Sequence, residues 1–169
     1  MARVCIGPLG EADAPDLIAA NKASAAFHAP WVEPFTDQAG FEAWRAVDPR
    51  RVSLLARTEA DGAVIGLFNL SQIAMGNFCS AYLGFYASQA QSGRGLMAEA
   101  LGLVLAHAFF LLGLHRVEAN IQPGNRRSLA LVRGAGFRQE GFSPRYLKIQ
   151  GEWRDHERWA MLAEDFAAP

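Results

Sequence analysis

An apolar strand that runs through two closely spaced glycines into a long helix restricts the fold of this chain more than any other feature. Residues 82–100 read YLGFYASQAQSGRGLMAEA, with the strand first, Gly93-Arg94-Gly95 in the middle and the helix immediately after. Glycines let backbone N–H groups come close to a ligand, and a helix N-terminus supplies unpaired donors and a partial positive charge. The segment therefore predicts a site for an anion such as a pyrophosphate.

Other glycine-loop patterns fit less well. A P-loop needs a lysine directly after its last glycine, but Gly95 is followed by Leu96. The spacing Gly93-x-Gly95-x-x-Ala98 does match the relaxed dinucleotide fingerprint, with Glu118 placed for a ribose contact. Predicted antiparallel hairpins precede this loop, however, where a dinucleotide fold would have βαβ units. A third interpretation gives the glycines only a structural role in a tight strand-to-helix turn.

Length and composition predict one compact domain spanning all 169 residues, of which 51% are hydrophobic. The 16 basic and 17 acidic side chains nearly cancel, so neither DNA nor a membrane is an expected partner. Cys5 and Cys79 are too few for a disulfide framework, which favours a reducing cytoplasm. The first ten residues lack the apolar core of a signal peptide, and the apolar run at 100–114 is short for a membrane span.

Hydrophobic periodicity and turn residues predict alternating elements. Strands are expected at residues 4–9, 52–57, 64–72, 80–88 and 116–121, with a closing hairpin at 145–149 and 154–162. Helices are expected at 10–24, 37–44, 96–112 and 126–133, and two prolines predict a loop at 28–36. This order indicates a mixed α/β (α+β) fold with one strand–helix–strand crossover. The aromatic residues expected in the core are Trp44, Phe109, Phe110 and Trp159.

Short motifs along nearly the whole chain occur in an order typical of one enzyme family. They are Val64-Ile65-Gly66 with Phe68-Asn69, Tyr82-Leu83-Gly84-Phe85, Gly93-Arg94-Gly95-Leu96-Met97, Asn125-x-x-Ser128, Gly136-Phe137, and Gly151-x-Trp153-Arg154-Asp155-His156. Each motif is weak alone. Together they resemble the GNAT superfamily of N-acetyltransferases and, within it, the RimJ/RimL type of ribosomal-protein-alanine N-acetyltransferase.

The resemblance implies a mostly antiparallel central sheet of about seven strands, split in a V at the acetyl-CoA site and flanked by about four helices. The pantetheine arm would bond to the backbone of the fourth strand at Leu83, Phe85 and Ala87. The pyrophosphate would lie on the amides of Ser92, Gly93, Arg94, Gly95, Leu96 and Met97. Ser92 and Met97 depart from the usual loop, where Gln or Arg and a small residue stand. Asn125, Arg127 and Ser128 would complete the cofactor site, and no metal is expected.

Catalytic roles implied by the resemblance fall on Ser128, Asn120, Glu118 and Tyr82. The Ser128 hydroxyl would support the departing thiolate. Tyr82 and Asn120 stand where relatives carry a glutamate base, so no side chain is an obvious base. Glu118 shares a strand face with Asn120 and would order a water, or it is a structural carboxylate paired with an arginine. The missing base favours an α-amine acceptor, with a pKa of about 7.7–8, over a lysine, with a pKa of about 10.4.

Substrate contacts are expected from Trp31 and Phe35 in the proline-bounded loop, and from Tyr82 and Asp155. The alternative is that the loop aromatics only plug the base of the domain. Asp155 and His156 are adjacent on a strand, so they should point to opposite faces. The predicted function is acetyl transfer from acetyl-CoA to the N-terminal alanine of a ribosomal protein. Acetylation of a small amine, such as an antibiotic or polyamine, and a non-catalytic ribosome-binding role remain alternatives, as do a monomer and a homodimer.

Overall fold

The computed structural model describes residues 2–167 and contains a seven-stranded sheet. Its strands are β1 (Val4–Pro8), β2 (Val52–Thr58), β3 (Val64–Ala74), β4 (Ser80–Ala87), β5 (Arg116–Ile121), β6 (Arg138–Ile149) and β7 (Glu152–Leu162). Their order across the sheet is β1-β2-β3-β4-β5-β7-β6. All neighbouring pairs are antiparallel except β4 and β5. The predicted mostly antiparallel seven-stranded sheet is therefore confirmed.

Helices cover both faces of the sheet. They are α1 (Ala14–Ala23), α2 (Ala25–His28), α3 (Gln38–Val47), α4 (Leu96–Ala106) and α5 (Arg126–Gly134). One hydrophobic cluster packs α4 and α5 against one face, and a smaller cluster around Leu17, Leu55 and Leu67 packs α1 against the other. Asp37 begins α3 as predicted, since its carboxylate accepts a 2.7 Å hydrogen bond from the Gly40 amide.

The end of the long helix differs from the prediction. A five-residue π-helix, His107–Leu111, follows α4 before Gly113 ends the segment with φ +67°. The wider π-turn changes the direction of the side chains that follow it. As a result Phe109 is buried, whereas Phe110 is 66% exposed, and its prediction as a core residue is wrong. Trp159 is buried as predicted.

The last hairpin is longer than the sequence indicated. β6 begins at Arg138, seven residues before the predicted start at position 145. Its pairing with β7 is interrupted between Ser143 and Leu147, where Arg145 takes φ +49°. Pro144 lies in this interruption. In the sequence a proline indicates the end of a strand, but β6 continues through Pro144 as a bulged edge strand.

The sheet opens between β4 and β5. Their parallel pairing covers only Ser80 with Arg116, Ala81 with Val117, and Tyr82 with Glu118. From Leu83 to Ala87, β4 pairs with β3 alone. A wedge-shaped split therefore begins directly after Tyr82.

Gly66 in β3 occupies a position that has no room for a side chain. A Cβ there would lie 2.5 Å from the Tyr86 carbonyl oxygen and 2.8 Å from the Met97 sulfur. We expect Gly66→Ala to lower the free energy of unfolding by about 1–3 kcal/mol, because overpacking forces the backbone to shift. Gly7→Ala in β1 is the control, since a Cβ there meets nothing within 4 Å. Urea unfolding compares them, and equal stability of the two variants would contradict the expectation.

Candidate active site

The loop between β4 and α4 presents a run of backbone donors. Within residues 2–167, no protein acceptor binds the amides of Gly93, Arg94, Gly95, Leu96 and Met97. Gly93 and Gly95 take φ +75° and +77°, and a Cβ at Gly93 would meet nothing within 4 Å. Five free amides at the N-terminus of α4, beside an open glycine, fit a pyrophosphate. The Ser92 amide was also expected to bind the pyrophosphate, but it donates to the Gln89 carbonyl at 3.1 Å.

Contacts from Arg3, the residue directly before β1, hold this loop in shape. The Arg3 guanidinium donates to the Glu99 carboxylate at 2.8 Å and to the Arg94 carbonyl at 3.4 Å. The Arg94 side chain in turn bonds to Gln91. Arg3 was not predicted to lie near the site, since it is more than ninety residues from its partners and no local pattern marks it.

The unusual methionine of the loop is accommodated by β3. Its sulfur lies 2.8 Å from the position that a Gly66 Cβ would occupy. Met97 therefore packs into space that Gly66 leaves free. The departure from a small residue at position 97 is compatible with an intact loop.

The open edge of β4 carries its own hydrogen-bonding groups. Ser88 N–H donates to the Ile65 carbonyl at 2.8 Å, which marks this pair as hydrogen-bonded. Because such pairs alternate along an antiparallel ladder, Leu83, Phe85 and Ala87 direct their main-chain groups away from β3 and into the split. These are the three residues that the sequence predicted for the pantetheine arm.

His28, at the end of α2, is a neighbour of this edge that the sequence analysis missed. Its Nε2 donates to the Ala87 carbonyl at 2.7 Å, and its ring lies edge-on to Tyr86 at 5.2 Å between centroids. The side chain is only 3% exposed, and burial lowers the pKa of the imidazole. The Ala87 carbonyl therefore has a protein donor and keeps one lone pair for a ligand.

Across the split, the start of α5 carries the predicted Asn125, Arg127 and Ser128. The Asn125 side-chain oxygen accepts a 3.2 Å hydrogen bond from the Ser128 amide and so caps α5. The Arg127 guanidinium lies over the Phe27 ring, 5.0 Å from its centroid. The Ser128 side chain is half-buried.

Tyr82 and Glu118 face each other at the point where the split begins. Glu118 is 7% exposed and accepts a 2.7 Å hydrogen bond from Arg116, so it is an arginine-paired carboxylate. The pKa of Tyr82 is raised, first by its hydrogen-bonding neighbour Tyr146 and then by burial. The side-chain oxygen of Asn120, on the same strand face as Glu118, is buried and has no partner among the described residues.

The predicted substrate residues lie at three different places. A cavity of about 270 Å³ brings two of them together, and its lining consists of Trp31, Gln122, Pro123, Gly124, Trp153, Arg154 and Asp155. Tyr82 lies at the start of the split, outside that lining. Asp155 is exposed and His156 is 3% exposed, which confirms that they face opposite sides of β7.

Phe35 lies apart from the other predicted substrate residues. Its ring packs against Phe41 and Trp44, with centroids 5.3 and 5.2 Å away, beside the α1 cluster. The Asn21 amide fixes the Phe35 carbonyl at 2.9 Å. Phe35 is therefore partly buried and packs against the cluster under α1 and α3. Of the two loop aromatics assigned to the substrate, Trp31 lines the cavity of about 270 Å³ and Phe35 does not.

The described residues contain neither a group of three or more metal-ligating side chains nor a helix that could cross a membrane. Residues 3–138 match the acetyltransferase (GNAT) domain family. The chain is 40% identical over 108 residues to a probable N-acetyltransferase, YjcK, of Bacillus subtilis. This match covers 64% of this chain and 60% of that protein. It is 39% identical over 103 residues to the ribosomal protein uS5-alanine N-acetyltransferase of Escherichia coli, covering 61% of this chain and 53% of that enzyme.

Among solved structures, Mycobacterium smegmatis RimJ in complex with CoA-disulfide superposes with a TM-score of 0.84 at 28% identity. The match covers 95% of this chain and 82% of that one. The split sheet and the open loop are consistent with the family that these similarities indicate. The chain belongs to the GNAT acetyltransferase family, whose RimJ-type members are among its relatives.

Proposed function

We propose that this protein transfers the acetyl group of acetyl-CoA to the α-amine of an N-terminal alanine on a ribosomal protein. The proposal is carried by one observation, that two adjacent sets of free backbone hydrogen-bonding groups follow one another along the chain. The open backbone edge at Leu83, Phe85 and Ala87 leads toward the free amides that begin at Gly93. The first set suits the amides of a pantetheine arm, and the second suits a pyrophosphate.

Acetyl-CoA supplies an activated thioester carbonyl. In a ternary complex the neutral amine attacks this carbon, the C–N bond forms and the C–S bond breaks. The nitrogen loses a proton, and the thiolate leaves and is protonated. Ser128, on the opposite side of the split from β4, is the hydroxyl proposed to donate to the departing sulfur.

The state of Glu118 favours an α-amine as acceptor. Its carboxylate is held by Arg116 at 2.7 Å, so it is not a free base for a strongly basic amine. An α-amine with a pKa of about 7.7–8 is roughly one-tenth neutral at pH 7, whereas a lysine near 10.4 is almost wholly charged. An α-amine therefore needs only a water to take its proton. The 39% identity to an enzyme named for uS5 alanine supports the same acceptor.

Ser128→Ala tests the chemical step. We expect kcat with an Ala-initiated peptide to fall about tenfold, the worth of one hydrogen bond to a charged atom. The acetyl-CoA dissociation constant, measured by calorimetry, should stay within about twofold, because the Asn125 cap uses the Ser128 backbone amide and not its hydroxyl. An unchanged kcat would remove Ser128 from the mechanism. A parallel loss of acetyl-CoA affinity would make it a binding residue instead.

A further inference from the structure

Three small polar or side-chain-free positions form a line across the middle of the sheet. Ser53 on β2 lies directly opposite Asn69 on β3, and Asn69 lies opposite Gly84 on β4. The Ser53 hydroxyl donates to the Asn69 side-chain oxygen at 2.7 Å, so both side chains stand on the same face. We call this line the trough floor.

The helical cover of that face stops beside the trough floor. One row further along, Leu55, Leu67 and Tyr86 pack under α1. Gly84, by contrast, is exposed although it lies in a central strand, and a Cβ there would meet nothing within 4 Å. On the opposite face Leu83 is only 4% exposed. The sheet is therefore open at Gly84 on one face only.

Two tyrosines bound the trough along β4. Tyr82 and Tyr86 are each two residues from Gly84 and so share its face. The Asn21 amide lies 3.4 Å from the Tyr86 hydroxyl, and burial raises the pKa of this phenol to about 12, so it remains neutral. Their α-carbons are four residues apart, or roughly 13 Å along the strand, which leaves room for a chain with a small first side chain.

The trough meets the split where β4 and β5 separate. The last paired position is Tyr82, and Gly84 is the first residue on this face beyond it. Leu83 and Phe85, on either side of Gly84, turn their main-chain groups into the split. A ligand lying along the split and a second ligand lying in the trough would therefore come together at Gly84.

The chemistry of the floor indicates which acceptor it suits. The floor has no ionisable side chain, so it offers a protonated polyamine no counter-ion. The Asn69 oxygen is engaged by Ser53, and no described residue accepts from the Asn69 NH₂ group. That group can donate to a carbonyl next to the reacting amine, which a peptide N-terminus has and a polyamine lacks.

Resting on the proposed function, we infer that the acceptor enters over Gly84 and that Asn69 selects an α-aminoacyl group by donating to its first carbonyl. Gly84 then keeps the acceptor path open, and Ser53 orients Asn69. Substitutions in the floor should therefore affect the acceptor and leave acetyl-CoA binding intact.

Gly84→Val tests the path. With an Ala-initiated peptide we expect kcat/KM to fall about 30-fold, while the acetyl-CoA dissociation constant stays within about threefold. Gly7→Val is the control, since it adds the same side chain at another open strand position, and urea unfolding of both variants checks the fold. Unchanged kcat/KM, or an equal loss of acetyl-CoA affinity, would overturn the inference.

Asn69→Asp tests selection, because Asp keeps the acceptor oxygen for Ser53 and replaces the NH₂ donor. We expect the KM for the peptide to rise about tenfold with little change in kcat. The ratio of spermidine to peptide turnover should also rise, a shift that a merely structural residue would not cause. Unchanged KM and ratio would overturn the assignment. Wild-type protein that acetylates no amine would instead refute the proposed function, and the trough with it.

Discussion

Replacing Gly93 with Asp is expected to weaken acetyl-CoA binding about 100-fold, equivalent to roughly 2.7 kcal/mol. The new carboxylate would lie among the free amides of the loop, where the pyrophosphate is proposed to bind. The negative charges of the carboxylate and the pyrophosphate would then repel each other. A Cβ at Gly93 meets nothing within 4 Å, so the loss would not come from a clash within the protein. Isothermal calorimetry with acetyl-CoA measures it.

Gly113→Asp is a matched control for backbone strain and added charge. Gly113 has φ +67° against +75° for Gly93, and its Cβ position is equally open. Both variants should lose similar stability, since both force Asp into the left-handed region. Only Gly93→Asp should lose affinity, and less so in high salt. Equal affinities for the two variants would mean that the loop is not the anion site.

Removing Arg116 is expected to cause the largest loss of stability. Arg116 pairs with buried Glu118 at 2.7 Å and also bonds to Glu140. Arg116→Met leaves the buried Glu118 charge with only the more distant Arg158 guanidinium, 4.0 Å away. This should cost about 3 kcal/mol, the low end for a broken buried pair, because Arg116 itself retains 19% exposure. Arg138→Met is the control, because its pair with Asp165 is exposed and should contribute less than about 1 kcal/mol.

The stability lost in Arg116→Met should become smaller as the pH falls. Hydrogen bonding to Arg116 lowers the pKa of Glu140 from its ordinary 4.5, so this pair stabilises the fold above that pH and less as the pH falls through it. The stability difference between wild type and Arg116→Met, measured by urea unfolding, should therefore narrow below pH 4.5. A difference that stays constant or widens there would contradict this account of the pair.

Local signals in the sequence predicted most of the elements that position the site. The glycine loop, the Asp37 cap and the strand at residues 116–121 depend on neighbours a few positions away, and all three are present. Phe110 was misplaced because a π-turn is not visible in hydrophobic periodicity. The part of β6 before residue 145 was not predicted, because a proline such as Pro144 usually indicates the end of a strand.

Contacts between distant segments could not be predicted in this way. Arg3 braces the glycine loop from the start of the chain, and His28 reaches the Ala87 carbonyl from α2. Phe35 was assigned to the substrate because prolines mark a loop without indicating which way its side chains turn.

The most direct test of the proposed activity is the release of free CoA thiol when the protein is mixed with acetyl-CoA and an Ala-initiated ribosomal peptide. Spermidine and an aminoglycoside serve as parallel acceptors. We predict thiol release that depends on the peptide and rises with pH toward the α-amine pKa of about 8. Release with the small amines alone would contradict the proposed acceptor. Tight acetyl-CoA binding without release for any acceptor would contradict the proposed catalysis.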